Sequence, residues 1–120
     1  MAESFAELRT ELLTDLAEQL GDDWYVERSI SITDEVVRKS VALIRTEVRP
    51  GATQGLLAND FSVYIIFPAD TSEDVIDEAV ETALQHLSGF TRATRILYAD
   101  NAPAWAFEYS APSSRKPTNP

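Results

Sequence analysis

Phe61-Ser62-Val63-Tyr64-Ile65-Ile66-Phe67 is a run of β-branched and aromatic residues, the types that fit a pleated surface. As a strand it points Phe61, Val63, Ile65 and Phe67 to one face of a sheet and Tyr64 and Ile66 to the other. The first face is wholly apolar and demands a helix layer. The second is partly apolar and needs a cover as well, either a neighbouring subunit or the chain's own long loop. Ser40-Val41-Ala42-Leu43-Ile44-Arg45-Thr46-Glu47-Val48 has the same character and should pair with it antiparallel. Between the two runs lie the twelve residues from Arg49 to Asp60, many more than the two to five that usually close a hairpin. They read as a long loop with Leu56 and Leu57 at its tip, placed either to contact a partner or to fold back over the core.

The helix layer is easy to find on either side. Over residues 3 to 20, Phe5, Leu8, Leu12, Leu16 and Leu20 recur at helical spacing, with Glu3, Glu7, Glu11, Asp15 and Glu18 on the opposite side, and Gly21 ends the run. The acidic stripe is a solvated outer face or a wall turned towards a basic partner or a polyanion. A second helix should start at Asp70-Thr71-Ser72-Glu73, with an acceptor side chain at Asp70 or Thr71, and run to Ser88, where Gly89 stops it. Its face of Val75, Ile76, Ala79, Val80, Ala83, Leu84 and Leu87 suits close packing on a sheet.

Two closing strands are expected, Arg92 to Ala99 and Ala104 to Ser110, joined by the turn-forming Asp100-Asn101-Ala102-Pro103. Trp105, Phe107 and Tyr109 alternate with Ala106 and Glu108, as in a half-buried strand. The segment from Asp22 to Lys39 is less regular: Trp24-Tyr25-Val26 and Ser29-Ile30-Ser31-Ile32 are strand-like, and Thr33-Asp34-Glu35 caps a short helical turn or forms a loop. Pro112 to Pro120 has little apolar surface to bury and reads as a flexible C-terminal tail beyond a single domain of residues 1–111. The resulting order is α-β-β-β-α-β-β, an α+β fold with a mainly antiparallel sheet of four or five strands and both helices on one face.

Composition limits what such a domain does. At 120 residues the chain buries enough surface to fold without staples, and with no cysteine it has no disulfide, thiol nucleophile or cysteine-held metal. His86 is the single histidine, in the last turn of the second helix, where a dipole-stabilised structural role suffices. The paired carboxylates, such as Asp22-Asp23 and Asp77-Glu78, fall at turns or on solvent-facing helix surfaces. Gly51 and Gly55 are not followed by the Lys-Ser or Lys-Thr of a phosphate loop. Catalysis, cofactors and metals are therefore not expected. A net charge of −10 disfavours nucleic acid, and the absence of a signal-like or membrane-spanning apolar run points to the cytosol. Bases such as Arg45 and Arg49 are better employed pairing with acidic helices of a neighbouring subunit.

The acidic first helix, the Trp24 segment, the strand pair about a long loop, the helix opened by Phe67-Pro68-Ala69-Asp70 and the aromatic strand Trp105-Ala106-Phe107-Glu108-Tyr109 together resemble tail terminator proteins of long-tailed bacteriophages, especially those of actinobacterial hosts. The resemblance covers residues 3 to 111 and is one of size and element order, without a diagnostic short motif. It implies a virion protein assembled in the host cytoplasm: a ring, typically a hexamer, that caps the tail tube, stops its polymerisation and offers the surface that joins the head connector. The lumen would pass genomic DNA without binding it specifically, and no membrane is involved. On this resemblance the partner-binding residues are Arg45, Arg49, Gln54, Leu56, Leu57 and Asn59. Another neck or head–tail connector component fits the same features, as does a small dimeric ferredoxin-like module that binds a ligand between sheet and helices.

Overall fold

The computed structural model describes residues 4–26, 38–51, 56–98 and 101–114. The elements follow the expected order: α1 (Phe5–Leu20), β1 (Tyr25–Val26), β2 (Ser40–Pro50), β3 (Leu56–Ile66), α2 (Glu73–His86), β4 (Arg92–Tyr98) and β5 (Ala102–Ser114). The strands form one sheet in the order β1-β2-β3-β5-β4, antiparallel throughout except for the short parallel pair of β1 with β2. Both helices lie on the face that carries Val41, Leu43, Phe61, Val63, Ile65 and Phe107. This is an α+β fold.

Local chemistry fixes the helix ends. Ser4 accepts a hydrogen bond from the Glu7 amide at 3.2 Å and caps α1, and the Gly21 amide closes it on the Ala17 carbonyl. Gly21 leaves the helix at φ 134°, where a Cβ would be strained and would come within 3.3 Å of the Asp23 carboxylate. In α2 the cap is Ser72 rather than Asp70 or Thr71, its hydroxyl accepting from the Val75 amide. The helix ends two residues earlier than expected, because Leu87 turns to extended backbone and is buried in the core. Glu73, in the first turn, receives both guanidinium nitrogens of Arg95 at 2.6 and 2.7 Å, tying α2 to β4.

The segment expected to be a long loop is sheet instead. β2 continues to Pro50 and β3 begins at Leu56, so the connection is only residues 51–55. Asn59 and Asp60 are poor strand formers, yet β3 has β2 on one side and β5 on the other from Leu57 to Ile66, and two backbone ladders override a weak local preference. A register shift between Arg45 and Glu47, where two residues of β2 are set against one of β3, carries the pairing on to Pro50↔Leu57. β5 likewise starts at Ala102 rather than Ala104 and runs to Ser114, three residues into the expected tail, because Ala58, Leu57 and Leu56 pair with Pro112, Ser113 and Ser114. The expected features at Ser29–Ile32, Thr33–Glu35 and the remainder of the tail lie outside the described residues.

At the boundary between core and extension stands an aromatic stack. Phe61 lies parallel to Tyr109 with ring centroids 5.1 Å apart and meets Phe5 of α1 edge-on at 5.4 Å; Phe90 meets both Phe107 and Tyr109 edge-on. Phe61 is 2% exposed and joins α1, β3 and β5, so Phe61→Ala should lower stability by about 3–5 kcal/mol, measured by urea unfolding.

Candidate functional site

Three surfaces stand apart from the core. The first is the sheet extension: Thr46–Pro50 of β2, Leu56–Asp60 of β3 and the last five residues of β5 continue past the row Arg45–Phe61–Tyr109, where the helix-side core ends. β2 shows the change along its own length, with Ser40 to Leu43 buried and Arg45 to Pro50 exposed. Five residues of strand project roughly 17 Å. The molecule is accordingly 49 Å long, and its radius of gyration of 15.1 Å exceeds the ~14 Å of a compact domain of this size.

Polar contacts stiffen the extension from both sides. On the helix side, Arg45 lies over the Phe5 ring at 4.5 Å and donates to the Asn59 amide oxygen at 3.3 Å. On the other side, Arg49 donates to Asp60 at 2.7 Å and to the Ser110 hydroxyl at 3.5 Å, spanning β2, β3 and β5. The Arg49 guanidinium, and then the Ser110 hydroxyl, hold the Asp60 carboxyl below the usual carboxylate range, and the same hydrogen bond raises Arg49.

The second surface is the helix-free face of the sheet. Cross-strand rows read Ser40–Ile66–Ala104–Ile96, then Ala42–Tyr64–Ala106–Thr94, then Ile44–Ser62–Glu108–Arg92. Alanines form its floor, and Tyr64, Tyr98 and Ile96 stand on it half-buried, the two tyrosine rings 6.0 Å apart. Towards the extension the rows turn charged, with Arg92 on Glu108 at 3.0 Å and then Arg49 on Asp60. The long loop that could have covered this face is itself sheet, so Leu57 to Asp60 continue the surface rather than fold over it.

The third surface is a groove of about 430 Å³ between α1 and the end of α2. Leu8, Leu12, Leu16 and Leu87 line it, Tyr109 closes one side, and Glu11, Asp15 and His86 stand at its rim. The Tyr109 hydroxyl is buried without a hydrogen-bond partner, and burial pushes its pKa up to about 12. No cluster of three or more histidine or carboxylate side chains able to hold a metal occurs among the described residues.

The structure separates the six residues expected to meet a partner. Arg45 and Asn59 are brought together on the helix side, with Asn59 fully buried instead of exposed in a loop. Arg49 is on the opposite face, engaged within its own chain. Leu57 is half-buried in a strand; Leu56 is at the start of β3, not at a loop tip, and Gln54 lies outside the described residues. Sequence reading passed over Asp60 and Ser110, which complete the Arg49 contact. It also passed over the alanines of the helix-free face, whose alternation at 102, 104 and 106 beside Tyr64 and Ile66 was the available signal.

A scan against protein-family models gives no match for this chain, and neither does a search of curated proteins.

Replacing Arg49 by Met should return the Asp60 pKa upward towards 3.8, read by carboxyl-carbon NMR titration. A depressed folded-state pKa contributes stability that is present above the unfolded value and lost as pH falls through the folded one. The stability advantage of the wild-type chain over Arg49→Met should therefore shrink only as the pH drops below 3.8.

Proposed function

We propose that this chain is an assembly subunit of the tail terminator kind, which forms a ring, caps a phage tail tube and presents a joining surface to the head connector. The observation that carries the reading is the three-stranded extension, built from β2, β3 and β5 and projecting beyond the helix layer. An ordered sheet that leaves its own core reaches a neighbour without first paying the entropy of ordering a loop. Among the described residues, β1 pairs only with Ser40 and Val41 of β2, and β4 reaches no further along β5 than Glu108, so the extension presents strand edges on both sides. The charges on its β2 edge, Glu47 and Arg49, are the kind that keep such an edge from indiscriminate pairing.

The helix-free face adds a second contact surface. Its patch of alanine, isoleucine and tyrosine has the composition that a neighbouring subunit covers. The acidic helices suit a channel through which DNA slides without adhering. On this reading the chain has no catalytic residues.

Light scattering over a range of protein concentrations, with and without the tube protein, tests the proposal. A discrete mass of about six subunits, alone or only with the tube, is the expected result; a stable dimer indifferent to the tube would sink it and favour the ligand-binding module. Tyr64→Glu, on the half-buried rim of the helix-free patch, should reduce that assembly by tenfold or more while leaving the circular dichroism spectrum unchanged.

A further inference from the structure

The groove between α1 and the end of α2 has an apolar floor and an acidic rim, and its neighbourhood offers little positive charge. α2 carries no lysine or arginine and α1 only Arg9. Arg45 and Arg49 are engaged within the extension, and Arg92 and Arg95 with Glu108 and Glu73. The opposite balance follows β5. No carboxylate side chain comes after Glu108, whereas Arg115-Lys116-Pro117 places two cations and an apolar ring directly after the last described residue.

We infer that the groove is a docking site for the segment Arg115-Lys116-Pro117 of a second copy of this chain, the cations on Glu11 and Asp15 and the proline ring on the leucine floor. Reach selects the second copy. β5 stays paired from Tyr109, at the groove wall, to Ser114, which therefore lies roughly 17 Å along the strand from Tyr109. α1 runs the other way: Phe5 packs on Phe61 at the base of the extension, and the helix leads on to Trp24, which packs against Phe67 at the far end of the sheet. Asp15 is therefore further from the extension than Tyr109 is, and a basic side chain at 115 or 116 does not span that gap in its own subunit.

The contact is heterologous, the tip of one subunit in the groove of the next, and such a contact closes into a ring or propagates as a filament. The inference rests on the self-associating reading above, but its test is separate.

A labelled synthetic peptide of residues 111–120 is titrated into full-length protein carrying Arg115→Glu and Lys116→Glu, whose own basic segments no longer compete, and fluorescence anisotropy is read. Saturable binding that weakens as NaCl rises from 50 to 300 mM, and that falls about tenfold when Glu11→Lys and Asp15→Lys are added, is the expected result. Both acids are exposed, so the melting temperature should not move. No saturable binding, or binding indifferent to the two reversals, overturns the inference. Sedimentation of the wild-type chain decides self-association independently: a ring without peptide binding removes this contact alone, whereas a chain that stays monomeric at concentrations where the peptide binds overturns the second copy as the occupant together with the ring.

Discussion

The rest of the structure depends on β3 having a hydrogen-bonded neighbour on each side from Leu57 to Ile66. Its inner half, Phe61 to Ile66, is the floor of the helix-side core and the back of the helix-free patch at once. Its outer half contains Asn59 and Asp60, which in isolation favour turns, and it remains a strand because the backbone groups on both edges are already matched. Without β5 running alongside as far as Ser114, residues 56–60 would be one arm of an unsupported hairpin, which is marginal in water.

Charge is arranged around that strand in layers. The ion pairs that tie elements together, Arg95 with Glu73, Arg92 with Glu108 and Arg49 with Asp60, lie at the surface, where each contributes little on its own. Their effect is geometric: they fix α2 to the edge strand and brace the extension across three strands. The excess of acid is left on the helices, while the apolar patch lies on the face without them. A chain with an acidic side, an apolar side and a projecting sheet has directional surfaces, which is what an ordered assembly requires of its subunit.

Much of the fold was legible in the sequence. Helical spacing of Phe5, Leu8, Leu12 and Leu16, and the alternation through Phe61 to Phe67 and Trp105 to Tyr109, located both helices and the central strands. The extension was not legible, because Asn59 and Asp60 are locally turn-like and β5, the strand that holds their outer edge, is some fifty residues away in the chain. The same distance hid the candidate surfaces. Arg49 was visible as a cation, but nothing near it in sequence identified Asp60 and Ser110 as its partners rather than a neighbouring subunit's acids. Asn59, read as a loop residue, is fully buried because the unbroken alternation of β3 puts it on the same face as Phe61, beneath Arg45. The helix-free face was legible in half: Tyr64 and Ile66 announced it, whereas alanines 42, 102, 104 and 106 carry too little apolar surface individually to announce a floor.

Amide hydrogen exchange of the isolated chain at Leu57 to Phe61 tests the account most directly, since an extension already formed before any partner arrives is its central claim. Laddered on both sides, these amides should be protected to nearly the extent of Val63 and Ile65. Exchange at the rate of an open loop would mean that the sheet ends at the aromatic row of Phe61 and Tyr109, and that residues 56–60 have no ordered surface to offer.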